Sequence, residues 1–401
     1  MTFVQTLSAA GFTATVISFG PARMGFGLFV PEFREAFSMS STAVGIVSGI
    51  GFFGFLIGLL LAQPLLGRRG PEAPVIIGLT AATVGMGIVA LASNLVVLAT
   101  GVFVAASSAG FTWTPFNDAV HRKVSDDDRP GALSWISTGT SLGIAAAAIA
   151  AFAVSQSDLS WRVCWAIFAV AGGLALIVND AALRRVEKAP DPARHLDPRR
   201  RVLRAPALAL LIVAFVLGTT SAIYISFAAD QMTRAGGVTG IAQSDTSALV
   251  FLVYGLCGIA GLFTGALRRA MGLGPLLRAV LLAGTASAAL VALMPGSWTG
   301  LILSAGLQGV YVMMASAVMA FWSERLYPAL PSFGFTVTLL AMAAGSVIGP
   351  VTAGVAADAY GAAPVFLSSA ALALATALLL RRGHLVERPA EPALSPRDRT
   401  R

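Results

Sequence analysis

The sequence predicts an all-α polytopic membrane protein, and three observations carry that prediction. Of 401 residues, 56% are hydrophobic and only 11% are charged, whereas charged residues make up about 25% of an ordinary soluble chain. The apolar residues gather in runs of about 20, the length that crosses a bilayer as a helix. Near the midpoint, the stretch RRVEKAPDPARHLDPRRRVLR at 184–204 separates two nearly uncharged halves of similar length. Its prolines, Pro190, Pro192 and Pro198, preclude a continuous helix, and its charges belong in water.

Taken in order, the apolar runs give six transmembrane helices in each half. The first half yields Ser8–Val30, Ser41–Leu66, Ala73–Ser93, Asn94–Ala119, Gly131–Ser155 and Trp161–Leu183. The second yields Ala205–Ala229, Thr246–Leu267, Leu276–Met294, Trp298–Trp322, Ser332–Ala357 and Ala362–Leu380. The expected organisation is a six-helix bundle over 1–183, a basic linker over 184–204 and a second six-helix bundle over 205–381. A polar tail over 382–401 has the composition of a disordered segment. The first run lacks the basic flank of a signal peptide, is too long for one and contains Arg23, so it is read as a retained span.

Orientation follows from the loops. Arg34, Arg162 and Arg234 are the only basic residues assigned to the outer side, and Arg23 lies within a span, which leaves 23 of the 27 on the cytoplasmic side. Cytoplasmic loops carry such an excess, so the linker and both termini are expected inside a cell inner or plasma membrane. The same asymmetry accounts for the net charge of +8. Nucleic-acid binders instead cluster charge on a folded face, so no nucleic acid is expected as a partner.

Cys164 and Cys257 each fall inside an apolar run, which excludes a disulfide framework and suits buried packing. His121, His195 and His384 fall in predicted loops, so an intramembrane imidazole metal site is excluded. With no catalytic cluster elsewhere, neither an enzyme, a metal nor a cofactor is expected. The halves echo one another at an offset of about two hundred residues, as internal repeats of transporters do. Gly139 and Gly143 correspond to Gly345 and Gly349, and Arg68-Arg69 to Arg268-Arg269.

Twelve spans in two halves, joined by a basic cytoplasmic loop, resemble the major facilitator superfamily over essentially the whole chain. The run Gly345, Gly349, Pro350, Gly354, Asp358, Gly361 in the eleventh span is similar to a glycine-rich pattern common there, where small residues let helices approach closely. GPARMGFGLFVPEFREAF at 20–37 and YISFAADQMTR at 224–234 are similar to the YbfB/YjiJ-like bacterial branch. The resemblance implies a secondary transporter working by alternating access. Three departures weaken proton-driven drug efflux. The loop Gly67-Arg68-Arg69-Gly70-Pro71 lacks the family's usual Asp, the fourth span contains no Arg, and Ile144 stands where antiporters often show Gly-Pro.

Arg23 is the one charge well inside a span, roughly 12 Å below the outer boundary when counted from Pro31 at about 1.5 Å per residue. Placing it there costs about 2.5–3.5 kcal/mol even on the lenient insertion scale, so it should face a wet cavity or a partner. Gly20 and Gly27 share its helical face, and Pro21 can interrupt the backbone ladder as in helices that line transporter sites. No Asp or Glu lies at comparable depth, and an unpaired guanidinium suits a carboxylate or phosphate. The structural alternative is that Arg23 caps carbonyls freed by Pro21 or ties two helices together.

Tyr224, near the pseudo-equivalent position in the seventh span, and Tyr254, Gln308 and Tyr311 are the other polar groups at suitable depth. Each is either an orienting hydrogen-bonding group or a helix contact. Trp113 and Asn117 lie nearer the cytoplasmic mouth, where an aromatic commonly anchors the interface. Glu32, Glu35 and Asp118 read as solvated end charges, with proton coupling as the alternative. The expected activity is monomeric transport of a small anionic organic solute, such as a carboxylate, with protons as possible co-substrate. An exporter of hydrophobic drugs and a transporter-shaped sensor without turnover are the rivals.

Overall fold

The computed structural model describes residues 3–125, 128–157, 159–184, 186, 205–327 and 331–380. The expected linker and tail lie outside the described residues, apart from Arg184 and Val186. The first half comprises α1 (Phe3–Phe19), α2 (Pro21–Leu28), α3 (Val30–Phe37), α4 (Ser41–Arg69), α5 (Glu72–Ala90), α6 (Leu95–Lys123), α7 (Arg129–Ser155) and α8 (Trp161–Leu183). The second comprises α9 (Ala205–Arg234), α10 (Thr246–Gly258), α11 (Thr264–Met271), α12 (Leu273–Leu293), α13 (Trp298–Leu326), α14 (Pro331–Tyr360) and α15 (Ala362–Leu379). No strand occurs among the described residues, as bilayer solvation demands of a chain whose backbone polar groups must pair internally.

Among the described residues, eleven helical segments are long and apolar enough to cross a membrane. The first span is absent from that set because it is broken into α1 and α2, with α3 starting only at its Val30 end. Pro21 has no N–H to give, α1 stops at Phe19, and Gly20 adopts a non-helical backbone with ψ −104°. A second break falls at Phe29. The eighth span is also irregular, since a 3-10 stretch at Ile259–Phe263 joins α10 to α11.

Starts are well marked. The side chains of Ser40, Asn94, Ser160 and Ser297 accept from the first free N–H groups of α4, α6, α8 and α13. Several ends overshoot the expected spans: α9 continues to Arg234 instead of stopping at Ala229, and α6 runs to Lys123. His121, expected in a loop, is therefore helical, because a helix is not obliged to stop where hydrocarbon does.

The internal echo has a packing basis. Gly139 and Gly143 of α7 bring that helix against Phe12, Thr15 and Val16 of α1, and Gly345 and Gly349 of α14 bring theirs against Phe215 and Thr219 of α9. The fifth and eleventh spans thus use equivalent glycines to seat on the first and seventh. Among the described residues the most extensive junctions between the halves are α4 with α14 and α7 with α10, with α2 and α3 also meeting α9. At the first pair a Cβ on Gly45 would enter the carbonyl of Pro350, and one on Gly354 would meet Ser41, so only small residues permit this approach.

Candidate functional site

The end of the bundle that carries the α3–α4 turn is called here the Arg34 end, and the opposite one the linker end. Arg23 sits on the short α2 between the two breaks of the first span. Its neighbours Gly20 and Gly27 press against other helices: Gly20 against Gly143 of α7, and Gly27 against the Ile225 carbonyl of α9. The helix face bearing Arg23 is thereby held where the two halves meet.

The guanidinium carbon lies 4.1 Å from the Phe55 ring centroid, 5.5 Å from Phe19 and 5.7 Å from Phe52. These contacts place three aromatic faces around one cation, each contributing roughly 0.5–2 kcal/mol depending on desolvation. No carboxylate pairs with it among the described residues. Its Nε is buried without a hydrogen-bond partner, yet the side chain as a whole keeps partial exposure. The alternative in which Arg23 caps carbonyls finds no such bond in the structure.

Across from Arg23, the fully buried Tyr254 hydroxyl of α10 is within electrostatic range and has no hydrogen-bond partner. The Tyr254 ring packs edge-on against Tyr224 of α9, at 6.3 Å between centroids. From Tyr224 a polar chain runs on: its hydroxyl pairs with Ser304 at 3.1 Å, Ser304 donates to the Ser287 carbonyl, and Ser287 donates to Gln308 Oε1. The Gln308 amide nitrogen is left over. Tyr311 stands apart, paired with Thr220 at 2.9 Å and packed into a separate apolar cluster. Of the four polar candidates in the second half, Tyr254 and Gln308 retain free donors, whereas the Tyr224 and Tyr311 hydroxyls are occupied.

On the linker side of Arg23 lies an apolar cluster shared by both halves. Phe19, Phe55, Leu59 and Ala109 meet Leu339 and Ala343 of α14, with Trp113 and Phe335 packed on it. Trp113, which the sequence suggests as an interface anchor, packs edge-on against Phe19.

At the Arg34 end the halves are tied by polar contacts that sequence reasoning missed. Arg34 Nε pairs with Asp230 at 3.0 Å, and its other nitrogens donate to the Met39 carbonyl and to Ser41. Asp358 of α14 accepts from the Ser41 and Thr42 backbone N–H groups at 2.9 and 2.8 Å, so a carboxylate from one half caps an α4 N-terminus in the other. Ser48 bonds Ser226, and Gln156 donates to Asp245 at 2.7 Å. A polar cleft of about 570 Å³ lined by Arg34, Asp230, Arg234 and Asp358 opens above this network.

Glu35 is exposed and Asp118 pairs with Arg122 of its own helix. Glu32 departs from the expectation of a solvated end charge. On α3 it is half-buried, and one carboxylate oxygen is buried without a partner. That burial pushes its carboxyl up to about 7. Among the described residues no three His, Cys, Asp or Glu side chains group as a metal site would require.

The family model of the Major Facilitator Superfamily matches residues 11–282. No curated protein sequence matches significantly. Among solved structures, a POT family transporter in complex with a thioalcohol-conjugated peptide superposes with a TM-score of 0.75 at 14% identity, covering 94% of each chain. A bacterial homolog of the human lysosomal transporter Spinster, inward-facing and unoccupied, gives 0.71 at 17% identity, with 98% of this chain and 100% of that one covered. The nucleoside transporter NupG gives 0.69 at 14% identity, covering 94% and 98%. At such identities the likeness concerns the fold alone. The family match over most of the length, and the helical fold that accompanies it, establish that this multi-pass membrane protein belongs to the major facilitator superfamily of secondary transporters.

Proposed function

We propose that the protein moves a small anionic organic solute by alternating access, with Arg23 as the residue that recognises its charge. The observation that supports this most is a cation at the meeting of the two halves, partly exposed, held on aromatic faces and lacking a carboxylate. A permanent charge kept in an apolar bundle without its own counter-ion is best compensated by the solute.

The basic loops favour an Arg34 end outside and a linker and termini inside a bacterial inner membrane, the protein acting as a monomer. In that orientation the network of Arg34, Asp230, Ser41 and Asp358 acts as the outer gate, and the bundles over 1–183 and 205–381 rock against one another when it parts. Because no carboxylate among the described residues shares the depth of Arg23, coupling follows the solute's own charge, as anion exchange, facilitated passage or proton co-transport.

A thermal-shift screen of the purified protein against carboxylates, inorganic phosphate and lipophilic cations tests the proposal, because a ligand that binds only the folded state raises its stability. Anions should stabilise the wild type and lose that effect in Arg23→Met. Stabilisation by lipophilic cations alone would favour a drug exporter and overturn the anionic assignment.

A further inference from the structure

We infer that the solute is an amphipathic monocarboxylate, one negative charge on an apolar body, an inference that rests on the proposal that Arg23 binds it. The first ground is charge stoichiometry. At the depth of Arg23 the described residues provide one cation and nothing to balance a second negative charge. Toward the linker end Arg122 and Arg184 are paired with Asp118 and Asp180, and at the other end Arg34 is paired with Asp230. A dicarboxylate or a doubly charged phosphate would leave one charge uncompensated among apolar walls, where an isolated ion is strongly disfavoured.

The second ground is the donor inventory. A carboxylate offers two oxygens. The guanidinium edge can serve one or both, and the buried, unpartnered Tyr254 hydroxyl is a further donor within its electrostatic range. A sugar or nucleoside would need several more polar partners around the guanidinium, where the hydroxyls of Tyr224 and Tyr311 are already occupied and the one other free donor of the second-half candidates, the Gln308 amide, lies beyond the Ser304–Ser287 chain.

The third ground is the wall beside the charge. Phe19 and Phe55, which flank the guanidinium, continue directly into the cluster of Leu59, Ala109, Leu339 and Ala343. That cluster draws on both halves, so an apolar solute body seated on it would contact each of them, while its carboxylate engages α2 and α10. Head and tail recognition would then both bridge the moving parts, which is how a solute gains differential affinity for one conformation.

Titration calorimetry on the full-length purified protein tests this with benzoate and hexanoate as probes. Succinate and phthalate supply the second charge, inorganic phosphate supplies charge without a body, and benzamide has the shape of benzoate without charge. Benzoate and hexanoate should bind and compete, and benzamide should bind about ten- to a hundredfold more weakly, the weight of a charge-assisted contact. Succinate, phthalate and phosphate should each be at least about tenfold weaker than benzoate on the same ground. Arg23→Met should lose benzoate binding by about ten- to a hundredfold, and Tyr254→Phe several-fold. Arg23→Lys, which keeps the charge but not the planar fork, should fall between wild type and Arg23→Met and gives a readable result if the Met variant does not fold.

Succinate or phosphate binding more tightly than benzoate in an Arg23-dependent manner would overturn the monocarboxylate assignment and leave the anion site standing. Wild-type protein that binds none of these anions, or Arg23 variants that bind benzoate unchanged, would overturn the anion site as well. Unchanged benzoate affinity in Tyr254→Phe would remove that hydroxyl from the head-group site.

Discussion

At the scale of single residues, charge placed in a low-dielectric setting sets the expectations. Arg23 rests on Phe55 with no carboxylate, so its replacement is expected to act on binding more than on folding. Arg23→Met removes a buried cation that has no internal partner and should keep the melting temperature of unliganded protein at or above that of wild type, because desolvating the charge is a cost. A large loss of stability in the absence of any solute would indicate a structural tie instead. Glu32 makes the opposite kind of prediction. Its folded value of about 7 lies above the ordinary carboxylate value of 4.5, so the native state holds a proton that the unfolded chain has already released. Its contribution to stability therefore declines as pH rises from the ordinary value to about 7 and is flat above that. Glu32→Gln should remove this decline, on the order of 1–3 kcal/mol, in thermal denaturation compared at pH 5 and pH 8. A variant with the wild-type pH dependence would show that another group is responsible.

Among the elements, the α4–α14 pair stands out because it carries both a close glycine-mediated approach between the halves and the Asp358 cap on Ser41 and Thr42. Asp358→Asn keeps one acceptor oxygen and loses the charge and one bond to the α4 N-terminus. Loss of such a cap is worth about 1 kcal/mol, enough to shift a conformational balance several-fold toward an open Arg34 end. In a background of Cys164→Ala and Cys257→Ala, Ser48→Cys reports on that opening, because Ser48 is buried beneath the contact and bonded to Ser226. Its labelling by a maleimide should quicken several-fold with Asp358→Asn, and an unchanged rate would deny the cap a gating role. The sequence already showed the glycines and Asp358 as parts of one helical pattern. It did not show that Asp358 reaches Ser41, nor that Arg34 meets Asp230, because those partners are far apart in the chain and no local periodicity encodes their meeting. The breaks of the first span were foreshadowed by Pro21 alone. The 3-10 stretch at Ile259–Phe263 arises where Gly258 and Gly261 press against Ser141 and Met313, a tertiary effect without a local signature.

For the whole molecule, hydropathy was enough to read an all-α chain of membrane-spanning helices, since a bilayer constrains length and polarity far more than water does. Membrane orientation rests on the distribution of Lys and Arg. Single cysteines in the cysteine-free background should react with an impermeant outside reagent when placed at Gly240 and stay protected at Arg194, and the reverse pattern would invert the orientation. The central site was legible as a list of polar groups but not as an arrangement. Tyr254 and Tyr311 looked alike in sequence, and only packing separated a free hydroxyl from one satisfied by Thr220.

Counterflow of labelled hippurate into proteoliposomes, wild type against Arg23→Met, tests the central assignment most directly, because hippurate is a monocarboxylate with a benzoyl body that crosses lipid poorly. Wild-type vesicles preloaded with unlabelled hippurate should transiently concentrate the label above its equilibrium level, while Arg23→Met vesicles holding the same amount of folded protein should match protein-free liposomes. Equal counterflow by the two proteins, or none above the protein-free level in the wild type, would contradict the role given to Arg23.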